Sequence, residues 1–330
     1  MSQTAVIWDE RYLLHDTGLY HPERPERLLA IKQVLDKSEI GKKLIRLEPR
    51  LAIPEEIALV HDFEYVRKIE TTAGHDIQLD PDTPVSPKSW EAACLAVGGM
   101  LVAVDWVLEN PPSPPFSKWG KRGARNAFAF VRPPGHHAER ARAMGFCLFN
   151  NVAIAAEYAL RKPGIKKVLI VDYDVHHGNG TQWSFYDRPD VFYISTHRYP
   201  FYPGTGARKE EGKGKGKGYT LNVLFPGGEG DEEYLTAFDK QIIPVMKDYQ
   251  PDLILVSAGY DAHRLDPLGG MNVTADGFAQ MTGKILEVAE KTCGGRVVMV
   301  LEGGYSLEGL SESVEACLKI LQTENRSPGS

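Results

Sequence analysis

Short, nearly continuous apolar runs alternate with longer amphipathic stretches along this chain, the pattern of an α/β protein. The runs Ala5–Trp8, Ala127–Val131, Lys167–Val171, Val191–Thr196, Tyr219–Val223, Leu253–Ser257 and Val297–Leu301 read as strands. Several are Val, Ile and Leu almost throughout, as expected of parallel strands covered on both faces. Helical spacing of apolar positions predicts helices over Glu26–Asp36, Ser89–Leu108, Asn150–Leu160, Glu232–Tyr249, Ala275–Lys291 and Leu307–Gln322. The sequence has no repeat at solenoid periods. The expected architecture is one α/β domain over residues 1–330, with a central, mostly parallel sheet flanked by helices.

Two stretches break the pattern. Residues 110–125 are Pro-rich and then basic (Lys118, Lys121, Arg122, Arg125). Because the strands on either side read as members of one sheet, this stretch is expected to be a surface loop rather than a linker. Glu210–Gly218 alternates Lys with Gly but has no phosphate-loop spacing and no following helix, so it reads as a solvated loop.

Composition narrows the function classes. The chain is 42% hydrophobic and 25% charged with a net charge of −6, which gives no support to direct nucleic-acid binding. The four Cys form no CxxC pair, as expected of free thiols in a reducing compartment. The N-terminal residues lack the basic-then-apolar order of a signal peptide. Nor does any apolar run look close to the ~20 residues of a membrane span. A cytoplasmic protein is expected, or a nuclear one in a eukaryotic host.

The chemistry concentrates at strand ends. Four of the ten His fall in two doublets, in Arg132-Pro-Pro-Gly-His136-His137 and Asp172-Tyr-Asp174-Val-His176-His177. Two further apolar strands run into Ser257-Ala-Gly-Tyr-Asp261 and Glu302-Gly-Gly-Tyr305. Ligands of open α/β sheets bind just beyond the carboxyl ends of the strands. If the strand continues, Asp172, Asp174 and His176 share one face, and burying them charged requires a partner. A bound cation satisfies that need, and so does an Asp–His ion-pair network. With Asp261 as a third ligand, three protein groups and an open position describe catalytic zinc. Fe(II) suits the oxygen-rich set as well. His136 and His137 are then free for acid–base work, with Asp172 and Asn179 orienting their rings. The Tyr305 hydroxyl suits a developing oxyanion.

Together these motifs, with Gly145-Phe-Cys-Leu-Phe-Asn-Asn, Phe201-Tyr-Pro-Gly-Thr-Gly and the His21-Pro-Glu-Arg-Pro-Glu-Arg-Leu stretch, resemble the zinc-dependent histone deacetylases. The class II-like branch, with its bacterial amidohydrolases, is the nearest in pattern. The resemblance runs from about His21 to about Leu321 and implies an arginase-like fold. It implies that Asp174, His176 and Asp261 bind zinc and that His137 is the general base. His136 is its partner, paired with Asp172, and Tyr305 polarises the scissile carbonyl. Phe146 and Tyr202 match the tunnel walls, Gly145 fits beside Phe146, and Asp82 is similar to the rim aspartate that grips the substrate backbone. Asn179, where class I enzymes carry Asp, leaves His137 less basic. Leu268 stands where polyamine deacetylases carry an acidic gatekeeper.

The resemblance also implies structural K+ or Na+. Asp172, Asp174, His176, Ser195 and Thr196 match an inner site, and Phe185, Arg188, Val191 and Tyr219 an outer one. The implied reaction removes acetyl from the ε-amine of lysine in protein or peptide. A small acetylated amine such as an acetylpolyamine is the alternative substrate. A binuclear manganese ureohydrolase and a non-hydrolytic acyl-lysine reader fit the same residues less well.

Overall fold

Eight parallel strands form the centre of the protein in a computed structural model that describes residues 3–109 and 125–323. In chain order the strands are β1 (Gln3–Ile7), β2 (Ile45–Leu47), β3 (Ile77–Asp80), β4 (Thr83–Val85), β5 (Arg125–Ala129), β6 (Val168–Asp172), β7 (Val191–Arg198), β8 (Thr220–Phe225), β9 (Leu253–Ala258) and β10 (Val297–Leu301). The sheet order is β2-β1-β5-β10-β9-β6-β7-β8, and β3 and β4 make a separate antiparallel hairpin. Strands β6, β9 and β10 are buried at every residue, because helices cover both faces of the sheet. That burial is why they read as unbroken apolar runs.

The helix over Ser89–Leu108 has the limits its apolar pattern predicts. It corrects the expectation that no apolar run approaches a membrane span: by length and composition this 20-residue helix qualifies. Most of it is buried inside the protein, against β5 and the Asn151–Leu160 helix. Its apolarity belongs to the core. The helix expected from Asn150 begins at Asn151, because the Asn150 side chain caps it by accepting the Ala153 amide. Likewise Thr274 caps Ala275–Cys293 and Ser306 caps Leu307–Gln322.

The stretch expected as one helix over Glu232–Tyr249 consists of Asp231–Ala237, a π-helical turn at Phe238–Ile242, and Ile243–Tyr249. Pro244 lacks an amide hydrogen and sits in the first turn of the last segment. Edge strand β2 and the β3–β4 hairpin escape a reading based on apolar runs, since each is short and only partly buried. The Pro-rich stretch lies, but for Arg125, outside the described residues.

Candidate active site

Strands β5, β10, β9 and β6 are consecutive neighbours at the centre of the sheet. Their carboxyl ends lead into the His136–His137 loop, Glu302–Tyr305, Asp261 and Asp172–His177 respectively. Adjacent strands lie about 4.8 Å apart, so four such ends fit across roughly 15 Å.

Strand β6 stops at Asp172, and the chain bends through Asp174–His176. The common strand face expected for Asp172, Asp174 and His176 therefore does not exist. The bend instead brings Asp174 and His176 to Asp261, with donor atoms of all three within 4.8 Å of one another, while Asp172 turns to His136 and Tyr193. Backbone amides orient both carboxylates of the cluster. Asp174 accepts from His176 (2.9 Å) and Gly303 (2.8 Å), and Asp261 accepts from Val175 (2.8 Å).

Nδ1 of His176 stands 3.1 Å from Asp174 and 3.0 Å from Asp261. One N–H cannot serve two buried carboxylates equally, and one imidazolium leaves a net negative charge uncompensated. Burial and the neighbouring Asp174 push the Asp261 carboxyl up to about 7. Two carboxylates and an imidazole with uncompensated negative charge fit a divalent cation.

The histidine doublet is buried and its rings lie 4.0 Å apart, centroid to centroid. Nδ1 of His136 is 3.1 Å from Asp172, whose other side-chain partner is the Tyr193 hydroxyl at 3.0 Å. Burial disfavours the His136 imidazolium, but the charges of Asp172 and Asp174 prevail and push its pKa up to about 10. Nδ1 of His137 is 2.8 Å from Asn179 Oδ1. That oxygen can only accept, so the Asn179 amide as placed puts the proton on Nδ1 and leaves a lone pair on Nε2. Burial, then the neighbouring His136 and His176, hold the His137 pKa well below the ordinary value.

A narrow tunnel with a cavity volume of about 90 Å³ reaches this cluster at His176. Asp82, His136, His137, Gly145, Phe146, His176, Tyr202, Leu268 and Tyr305 line it with Pro134 and Gly303, so the sequence-expected lining residues converge. Gly145 and Phe146 both have positive φ, 57° and 69°. For Phe146 that conformation is strained. Its amide donates to the Thr83 hydroxyl (3.1 Å), and its ring packs edge-on against His21 and Tyr305. Asp82 lies in the turn between β3 and β4. Burial holds the Tyr305 hydroxyl well above its usual pKa, so it remains a proton donor.

The remaining sequence-expected residues fall in two places. Ser195 and Thr196 lie on β7 beside the end of β6, where the Thr196 hydroxyl donates to the Asp172 carbonyl (3.4 Å). Phe185, Arg188, Val191 and Tyr219 lie near the other end of β7. There the Phe185 carbonyl accepts from the Arg188 amide (3.1 Å) and the Tyr219 carbonyl from the Tyr193 amide (3.0 Å).

Sequence reasoning gave no role to a second rank of residues. The Glu302 carboxylate accepts the amides of Gly135 (2.7 Å) and His136 (3.1 Å), fixing the doublet loop from β10. Arg27 donates to the carbonyls of Gly304 (2.6 Å) and Glu302 (2.5 Å), with its guanidinium over the Tyr305 ring. Glu23, fully buried, pairs with Arg27 and Arg132. Burial would raise its carboxyl, but Arg132 and Arg27 hold it down at about 2. The only sequence signal for this trio is the clustering of charge at His21–Leu28 and Arg132.

Residues 21–321 match the histone deacetylase domain. A probable deacetylase of Archaeoglobus fulgidus is 42% identical over 308 residues, 93% of this chain and 82% of the relative. Chloroplastic histone deacetylase 14 of Arabidopsis thaliana is 41% identical over 341 residues, 98% of this chain and 78% of the relative. The crystal structure of the HDA15 HD domain superposes with a TM-score of 0.89 at 41% identity, covering 97% of this chain and 88% of that one. The chain belongs to the histone deacetylase family.

Proposed function

We propose that this protein is a zinc-dependent amidohydrolase that removes acetyl groups from the ε-amine of lysine in proteins or peptides, releasing acetate. The observation that carries the reading is that His176, clustered with Asp174 and Asp261, lines the same tunnel as His137 and Tyr305. Asp174, His176 and Asp261 would hold the ion, Zn²⁺ or Fe²⁺, which when bound polarises the carbonyl and makes water more acidic. Phe146 and Tyr202 flank the lysine alkyl chain and exclude water from it. Nε2 of His137, unoccupied by any hydrogen bond to Asn179, takes a proton from the attacking water and delivers one to the leaving amine. His136, kept charged by Asp172, contributes positive field rather than base strength. The Tyr305 hydroxyl donates to the carbonyl oxygen as negative charge develops there.

Within the same reading the 330 residues form one catalytic domain in the cytoplasm, and monovalent K+ or Na+ occupies the two β7 sites. Leu268, exposed at the tunnel mouth, offers nothing to a second ammonium, which favours acetyl-lysine over acetylpolyamine. Turnover of an acetyl-lysine peptide and of acetylspermidine, each with and without a chelator, tests the proposal. Chelator-sensitive turnover of the peptide is expected. Faster turnover of the polyamine would transfer the reading to the small-amine class, and chelator-insensitive turnover would remove the metal from it.

A further inference from the structure

We infer that Asp266 is a positioning residue for Tyr305: its carboxylate ties the turn carrying the tyrosine to the loop carrying Leu268 at the tunnel mouth. The inference rests on the proposed role of Tyr305 as donor to the substrate carbonyl. Oδ2 of Asp266 accepts the amides of Tyr305 (2.6 Å) and Ser306 (3.2 Å). Oδ1 accepts those of Leu268 (2.9 Å) and Gly269 (3.2 Å). Two amides from each of two loops thus meet on one carboxylate that is only 9% exposed.

The need for such a clamp follows from the local sequence. Tyr305 follows Gly303 and Gly304, and Gly304 has a φ of 115°, a region open to glycine. A glycine pair constrains the backbone weakly by itself, so hydrogen bonds must set its course: Gly303 donates to Asp174, the Gly304 carbonyl accepts from Arg27, and the next two amides fall to Asp266. Beyond it, Ser306 caps the Leu307–Gln322 helix, and its own amide has no partner within that helix. Hydrogen bonds to an ionised carboxylate are about twice as strong as neutral ones. Asp266 supplies two of them to the amides of Tyr305 and Ser306, just beyond the Gly304 carbonyl that Arg27 holds. On the other side, the Gly269 carbonyl accepts from Arg198 (3.2 Å), so the clamp is anchored through β7. A displacement of Tyr305 by an ångström can cost on the order of 10²-fold in rate.

Asp266→Asn keeps the size of the side chain but only one acceptor oxygen, so an amide group must face one pair of N–H donors. Steady-state kinetics on an acetyl-lysine peptide, metal content and thermal unfolding would be measured for Asp266→Asn, Tyr305→Phe and the double variant. A kcat roughly 10–100-fold lower is expected in Asp266→Asn, with KM and metal content close to those of the parent. In the Tyr305→Phe background the same substitution is expected to cost nothing further, because the hydroxyl it positions is gone. Equal losses in both backgrounds would assign Asp266 a general structural role and overturn the inference. Parent-like turnover, or an unfolded Asp266→Asn protein, would overturn it too. Full activity of Tyr305→Phe alone would instead refute the reading of Tyr305, and this inference would fall with it.

Discussion

Replacing Gly145 with Ala separates the geometry of the tunnel from the general stability of the fold. A methyl group built at position 145 would lie 2.8 Å from Cγ of His137 and 3.0 Å from the Tyr202 hydroxyl, with His137 Cδ2 nearer still. Carbon atoms pack at about 3.5–4.0 Å, so the His137 ring must retreat by roughly 1 Å. It cannot do so freely, since the ring is buried and bonded to Asn179 at 2.8 Å. Two costs follow. The φ of 57° is left-handed, which costs an alanine about 1–2 kcal/mol of stability relative to the ordinary helical region. The displaced ring should cost on the order of 10²-fold in kcat. Gly164→Ala provides the control. Gly164 has a φ of 86° but nothing within 4 Å of a built methyl, so it bears the backbone cost alone. Peptide deacetylation kinetics and urea unfolding on both variants supply the readout. The expected result is destabilisation in both, greater in Gly145→Ala by the overpacking against His137, and a large loss of kcat only in Gly145→Ala. Turnover within a few-fold of the parent in Gly145→Ala would refute the reasoning, because it would mean that His137 tolerates displacement or does not act in the reaction.

Other outcomes follow from the same geometry. Asp261→Ala should lose metal and activity together, checked by elemental analysis; a full complement of metal would contradict the ligand set. His137→Ala should lose nearly all turnover while retaining metal, and His136→Ala should keep a measurable remnant; the reverse order would exchange their roles. His61 donates from Nδ1 to the Glu139 carbonyl (3.0 Å) and accepts the Asn150 amide on Nε2 (2.9 Å), and burial lowers its pKa to about 4. With a folded pKa below the unfolded value of about 6.5, its stabilising contribution is present above that value and lost as pH falls toward 4, by at most ~1.4 kcal/mol per pH unit. Urea unfolding between pH 7 and 4 should show a shallower decline in His61→Gln than in the parent; an unchanged slope would count against the neutral buried imidazole.

Seven strands of the central sheet, most of the long helices and the chemistry-bearing loops were legible in the sequence because each is a local property. Apolar runs such as Val297–Leu301 announce burial on both faces, and the His136–His137 and Asp174–His176 motifs directly follow such runs. The order of the strands is not local. Nothing in the spacing of Phe128–Val131, Val168–Val171, Leu253–Ser257 and Val297–Leu301 states that β5, β10, β9 and β6 are neighbours. Yet that order alone brings Asp261 to His176 across 85 positions and Glu302 to His136 across 166. The sequence also misled where it assumed continuity. Asp172, Asp174 and His176 have the alternation of a strand face, but the bend after Asp172 divides them between the His136 pair and the cluster with Asp261. Asp266 and Glu302 carry no spacing signal for what they hold, because both bind backbone amides, and any residue except proline supplies those. Which residues can do chemistry is written in their types and positions along the chain. Which of them meet depends on how the strands pack, and that is decided by burial summed over the whole sheet.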